Sequence, residues 1–174
     1  MAQYIAFEPN VEVTGRTILS TIDGLGDQAL EAFRQRGVNK IDPDGWYPQQ
    51  IWLDALKEMD QRGFFNMVAV GMKIPEDAAF PPDINTVESA LESIDVAYHM
   101  NHRGGEIGHY RYEKIGDRHV RMECDNPYPS DFDYGLIYAM TRRYAGHRAD
   151  FTVTRADSPC RRKGDDRCIY DVKW

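Results

Sequence analysis

The chain ends in CRRKGDDRCIYDVKW, which runs from Cys160 to Trp174. Gly164 lies midway between Cys160 and Cys168. A Gly-Asp pair between strand-like flanks is typical of a β-hairpin turn, because glycine adopts positive φ without steric cost. A turn at Gly164 would place Cys160 opposite Cys168, and their even spacing would direct both thiols to one face of a sheet. We therefore predict a C-terminal hairpin with two adjacent thiols.

Helical periodicity dominates the first hundred residues. We predict helices over about 17–36, 47–61 and 83–101, with the step Gly24-Leu25-Gly26 dividing the first of them and Asp83 or Asn85 capping the last. The apolar stretch Phe64–Met72 is consistent with a helix or a buried strand, and we favour a helix because Met and Ala are good helix formers. Residues 75–82, rich in proline, are predicted to form a loop.

The pattern changes after residue 105. Alternating residues over 109–113 and 119–124 predict a hairpin, and a helix should begin at Ser130 or Asp131, whose side chains are good caps. A strand from about Phe151 and the C-terminal hairpin complete a strand-strand-helix-strand-strand order. We therefore predict one α+β domain over 1–174, in which a helical part (about 15–103) packs on an antiparallel sheet with its own helix (about 106–174).

Composition excludes several classes of function. The net charge of −7 argues against a nucleic-acid binder, which would need a basic surface. No apolar run approaches the roughly 18 residues that span a bilayer, and no leader segment is evident at Met1, so we expect a cytoplasmic protein. Three cysteines do not suggest a disulfide framework.

The second half of the chain resembles the vinyl-reductase-type (4VR) domain. That domain belongs to a superfamily shared with haem nitric-oxide-binding domains and with Bet-type subunits of the TRAPP tethering complex. The resemblance covers about 64–174 and is strongest from Asp131 onward. Its motif residues are Gly135, Asp157, Cys160, Gly164, Asp165 and Cys168. It implies the nitric-oxide-signalling/Golgi-transport ligand-binding fold, with a pocket between helices and sheet and often a homodimer.

The resemblance also implies a candidate zinc site. In phenol-sensing transcription activators, a domain of this type holds zinc through three cysteines and an acidic residue. Cys160 and Cys168 match the last two cysteines, and Asp157 matches the acidic position. The third cysteine falls at about Ser130 here, so the nearest thiol is that of Cys124. Two alternatives stay open: the thiols are core residues, or Cys160 and Cys168 form a disulfide.

The haem branch of the superfamily carries a proximal histidine on the helix before the hairpin and a Tyr-x-Ser-x-Arg signature in the strand region that follows. Glu92 and Asp95 occupy the helix where that histidine is expected, and Arg121–Asp125 does not match the signature. His99 and His102 lie near the helix end. We interpret them as solvated residues favoured there by the helix dipole, with a metal-binding pair as the alternative. The sequence therefore argues against haem.

Aromatic residues and methionines are abundant, which predicts a pocket for a flat hydrophobic ligand, with ordinary core packing as the alternative. The expected lining is Trp52, Phe64, Phe65, Val68, Met72, Leu91, Tyr98, Phe132, Leu136 and Met140.

No catalytic motif was recognised, so an enzyme is not favoured. The leading hypothesis is a small-molecule-binding or sensory domain that signals through dimer or partner contacts. The alternatives are a vinyl-reductase-like enzyme of tetrapyrrole metabolism and a scaffold of the tethering-subunit type.

Overall fold

The computed structural model describes residues 3–22, 27–63, 66–146 and 150–174. The six helices of this part of the chain are α1 Gly15–Ile22, α2 Asp27–Arg34, α3 Gln49–Gln61, α4 Met67–Asp77, α5 Val87–Met100 and α6 Ser130–Ala145. The strands are β1 Glu12–Thr14, β2 Trp46–Pro48, β3 His102–Arg103, β4 His109–Gly116, β5 His119–Asp125, β6 Thr152–Arg155 and β7 Cys168–Lys173. The step Gly24-Leu25-Gly26 lies outside the described residues.

The larger sheet is antiparallel, with the strand order β4-β5-β7-β6. Alternate residues of β5 and β7 turn one face of this sheet inward, where the helices cover it. On β5 the inward residues are Val120, Met122 and Cys124, all fully buried. The order β4-β5-α6-β6-β7 confirms the predicted strand-strand-helix-strand-strand arrangement and the α+β fold class.

A second, three-stranded sheet has the order β2-β1-β3 and was not predicted. Its strands have two or three residues each, too few for an alternating pattern to be visible in the sequence. Val13 of β1 pairs with both Tyr47 and His102. This pairing fixes the backbone just after α5, and with it the position of His102.

Helices α4 and α6 cross in backbone contact through two glycines. A Cβ at Gly71 would lie 2.0 Å from the carbonyl oxygen of Phe132, and one at Gly135 would lie 2.0 Å from that of Val68. Such separations are far below van der Waals contact, so only glycine permits this approach. Gly135, one of the residues on which the predicted resemblance rests, therefore has a packing role in this chain.

Several predicted boundaries differ from the structure. Helix α4 continues to Asp77 with Pro75 inside it, so the predicted 75–82 loop begins later. Helix α5 is capped by Thr86, which forms a capping box with Ser89, rather than by Asp83 or Asn85. Helix α6 starts after Pro129 without a side-chain cap.

The predicted C-terminal hairpin is only partly formed. Cys168 starts β7, but its partner across the sheet is Cys124 of β5, and Cys160 lies outside any strand. A single turn of 3₁₀-helix, Arg161–Lys163, follows Cys160 and ends at Gly164, whose φ is +94°. The turn at Gly164 was thus predicted correctly, but the register of the two thiols was not. No helix among the described residues has the length and apolarity to cross a membrane.

Candidate functional site: the aromatic pocket at the end of helix α5

An apolar cavity of about 30 Å³ lies among α3, α5 and α6. Four of the predicted pocket residues line it, namely Trp52, Tyr98, Phe132 and Leu136. The other lining residues include Ile74, Phe80, Ile94, His102, Tyr110 and Tyr128. A cavity of this size has room for about two waters.

Aromatic rings occupy the space around this cavity. Tyr128 stacks on Phe132 at 5.2 Å between centroids, and Trp52 contacts both, at 4.9 Å and 5.9 Å respectively. On the opposite side, the ring of Tyr98 lies 4.5 Å from that of His102. Large aromatic side chains therefore form much of the pocket wall.

The imidazole of His102 is the polar group of this pocket with the clearest chemistry. Its Nδ1 lies 2.8 Å from the carbonyl oxygen of Tyr98, which can only accept, so Nδ1 carries the proton. Burial lowers the pKa of His102 to about 4, so the ring is neutral at pH 7. Its Nε2 then has a free lone pair, which accepts from the hydroxyl of Tyr128 at 2.6 Å. A neutral imidazole with Nδ1–H held by a carbonyl is a ready metal ligand.

The hydrogen bonds continue beyond Tyr128. The side-chain amide of Gln49 donates to the Tyr128 hydroxyl at 3.0 Å, so that hydroxyl both accepts and donates. Two buried polar atoms next to these hydrogen bonds, Gln49 Oε1 and Trp52 Nε1, have no hydrogen-bond partner among the described residues. Since nearly all buried polar groups are hydrogen-bonded, the indole N–H of a pocket residue without a partner is a donor available to a ligand or a water.

The remaining predicted pocket residues lie elsewhere. Leu91 and Met140 are buried in the core, and Val68 and Met72 are half-buried on α4; none of the four lines the cavity. Phe64 and Phe65 lie outside the described residues. Their assignment to a pocket stays a prediction.

Three of the four predicted zinc residues, Cys124, Cys160 and Cys168, are buried beside an ion pair. The guanidinium of Arg161 contacts the carboxylate of Asp133 and the carbonyl oxygen of Cys124, with both charged side chains fully buried. Burial raises the pKa of the Cys124 thiol well above its usual range, which disfavours the thiolate that zinc requires. Sγ of Cys160 and Sγ of Cys168 lie 3.9 Å apart. Asp157, in contrast, is solvent-exposed and lies 3.9 Å from Lys163.

Two site residues were missed or misread in the sequence. His102 was interpreted as a solvated residue, but it is 7% exposed because strand β3 turns it beneath the helix end. The segment Tyr128-Pro129-Ser130 contains the first two residues of the Tyr-x-Ser-x-Arg signature in the correct order, with Phe132 in the arginine position. The stretch compared with the signature was Arg121–Asp125, which does not match it and lies in β5, before the segment with the Tyr-x-Ser spacing. The Tyr-x-Ser spacing was the available signal.

No family model matches the sequence, and a search of curated proteins found no match. Solved structures do match. An H-NOX protein from S. oneidensis in the Fe(II)NO ligation state has a TM-score of 0.64 at 10% identity, covering 92% of this chain and 98% of that one. An oxygen-binding H-NOX domain related to soluble guanylate cyclases has a TM-score of 0.61 at 17% identity, covering 91% of each chain. A structure from work on haem redox potential and porphyrin distortion has a TM-score of 0.63 at 16% identity, covering 92% of each.

These matches correct the cofactor expectation. The sequence argued against haem, with zinc as the candidate metal. The solved structures that share this fold include an H-NOX protein with Fe(II)NO and a protein studied for its haem redox potential. The expected position of a histidine was the middle of α5, whereas the buried histidine of this chain, His102, follows the end of that helix. Zinc finds no support in the matches.

The pocket offers a suitable ligand atom for haem iron, but its volume is too small for haem. The donor type fits, since a neutral, buried imidazole suits iron once the hydroxyl of Tyr128 has moved away from Nε2. The volume of the cavity must increase, since about 30 Å³ is well below the roughly 300 Å³ of the smallest common ligand pockets. Haem therefore requires the aromatic rings to move apart. The chain has the fold of the H-NOX domains, and a buried histidine lies in its aromatic pocket.

Proposed function

We propose that this protein is a sensory domain that binds haem in the aromatic pocket, with Nε2 of His102 as the axial ligand. The observation that carries the proposal is the hydrogen-bonded, neutral state of His102, whose lone pair faces the hydroxyl of Tyr128 in an apolar surrounding. The fold that it shares with H-NOX structures adds independent support.

The residues around His102 suit this role. The carbonyl of Tyr98 orients the imidazole, the apolar rings exclude water, and Trp52 offers an indole N–H without a partner among the described residues. When bound, haem iron would supply a coordination position for a diatomic gas. Haem carries two carboxylates, and Phe132 replaces the arginine that the signature would offer them, so binding here depends more on His102 and on apolar contact.

The direct test is reconstitution of the purified chain with haem. We expect a Soret band at one equivalent, and we expect His102→Gly to lose it and to regain it when free imidazole is added. His119→Gly is the matched control, because His119 lies at the start of β5, does not line the pocket and pairs with Asp171. A wild-type Soret band in His102→Gly, without imidazole, would refute the assignment of the axial ligand.

A second candidate is a smaller flat hydrophobic molecule without a metal, which would act through dimer or partner contacts. The small volume of the cavity and the apolar Phe132 in the arginine position favour it. Native mass spectrometry of the protein as purified distinguishes the two, since it reports subunit number and the mass of any retained ligand. A retained mass of haem supports the first candidate, and a smaller organic mass supports the second.

A further inference from the structure

The outer face of α5 carries a cluster that the pocket does not use. One ligand atom each of Asp95, His99 and His109 lies within 4.8 Å of the others, and no other trio of such residues does so in the part of the chain that the structure describes. Asp95 and His99 are one helical turn apart, and His109 begins the neighbouring strand β4. Two elements therefore contribute to the cluster.

The geometry of the three side chains is close to that of a coordination sphere. Nδ1 of His109 lies 3.4 Å from one carboxylate oxygen of Asp95, and Nδ1 of His99 lies 3.6 Å from the other. Metal bonds of about 2.1 Å at tetrahedral angles place ligand atoms about 3.4 Å apart. Nδ1 of His99 also donates to the backbone carbonyl of Asp95 at 2.8 Å, so the ring must turn to bring a lone pair to the ion. All three side chains are between one third and one half exposed, which leaves room for that rotation.

The carboxylate at the centre of this cluster is already held in place. An oxygen of Asp95 accepts the backbone N–H of Tyr110 at 2.7 Å, which joins α5 to β4 and fixes the carboxylate direction. Hydrogen bonds of this kind orient metal ligands in many proteins. Nearby, Glu106 adds negative charge: its pKa is lowered first by the N–H of Gly108 and further by His109 and His99.

We propose that Asp95, His99 and His109 form a binding site for a divalent first-row transition-metal ion, with solvent completing the coordination. Two imidazoles and one carboxylate on one side of the ion are a set that such ions accept, with open positions left toward water. A bound ion would tie the last turn of α5 to the start of β4. The site is separate from the pocket, and His102 takes no part in it.

The test is a titration of the metal-stripped, haem-free, untagged chain with Co²⁺, followed by visible absorption and calorimetry. We expect one equivalent to bind. His99→Ala and His109→Ala should each weaken Co²⁺ binding by at least about tenfold, because each removes a direct ligand. Asp95→Asn should weaken it similarly while its amide oxygen still accepts from Tyr110. His119→Ala is the matched control and should bind as wild type.

Wild-type affinity in His109→Ala, or an equal loss in His119→Ala, would overturn the proposal. Circular dichroism and urea midpoints show whether each variant is folded. If an alanine variant does not fold, the Co²⁺ affinity of Asp95→Asn tests the proposal in its place. His102→Ala should keep Co²⁺ binding even though it loses haem. A failure of the haem assignment therefore leaves the Co²⁺ result unchanged, and a failure to bind Co²⁺ leaves the haem assignment unchanged.

Discussion

At the scale of single residues, burial decides the chemistry of His102. The unfolded chain protonates this imidazole near pH 6.5, whereas burial lowers its pKa in the fold to about 4. Between these values the unfolded state binds more protons, so stability must fall as the pH falls from about 6.5 to 4. We expect a loss of about 2 to 3 kcal/mol of unfolding free energy between pH 8 and pH 4.5 from this group.

Urea denaturation of wild type and His102→Gln at both pH values measures this effect. The two proteins differ only at this residue, so the difference between their pH dependences isolates His102. The variant should lack the 2 to 3 kcal/mol component that wild type shows. Identical pH dependences would mean that His102 is solvated, as the sequence had suggested, and would remove its role as a neutral ligand.

The buried pair Arg161–Asp133 is the second decisive feature at this scale. Burial raises the pKa of Asp133 and Arg161 counteracts this, while Tyr110 donates to the carboxylate at 2.6 Å. Arg161→Met leaves a buried carboxylate without its cation, and we expect a loss of about 3 to 5 kcal/mol in unfolding free energy. Arg162→Met, at the next position but half-exposed, should cost less than about 1 kcal/mol. Equal losses in the two variants would contradict this view of the pair.

At the scale of elements, the crossing of α4 and α6 sets the spacing of the core. In an isolated helix, Gly→Ala stabilises by about 1 kcal/mol. At Gly135 the new Cβ would lie 2.0 Å from the carbonyl oxygen of Val68, so we expect Gly135→Ala to destabilise by about 1 to 3 kcal/mol instead. The sign of the change therefore tests the crossing directly.

Gly116→Ala is the control for this prediction, because a Cβ there meets nothing within 4 Å. It should change the urea midpoint little. A stabilising effect of Gly135→Ala would show that the helices separate without difficulty, and the close approach would then have no role in stability.

Local sequence patterns predicted most of the helices and strands but few of the residues at which they begin and end. The apolar spacing of α3 and α5 and the alternation in β4 and β5 predicted those elements correctly, because each depends on its own sequence. The cap at Thr86 is local, but its partner is Ser89, where the usual capping box has Glu or Gln. The strands of the small sheet depend on partners distant in the chain. The pairing of Cys168 with Cys124 likewise follows from the arrangement of whole strands, which no local spacing reveals.

At the scale of the molecule, the pocket is a long-range assembly. Trp52 from α3, His102 from β3 and Tyr128 from the loop before α6 meet only because two sheets and a helix crossing position them. The sequence predicted an aromatic pocket and four of its lining residues. It gave no means of distinguishing a buried His102 from a solvated one, since burial is a property of the complete fold.

The small volume of this pocket leads to a kinetic prediction for the whole molecule. A cavity of about 30 Å³ must open before haem enters, so the opening step should limit uptake at high haem concentration. The observed rate of Soret formation should then level off instead of rising in proportion to haem. Phe132→Ala removes a ring from the pocket, and the limiting rate should rise about tenfold if opening becomes easier by about 1.4 kcal/mol.

Phe151→Ala is the matched control, because Phe151 packs on Tyr138 outside the pocket. Stopped-flow mixing measures both rates; a rate that stays proportional to haem in wild type would mean that the pocket is already open in solution.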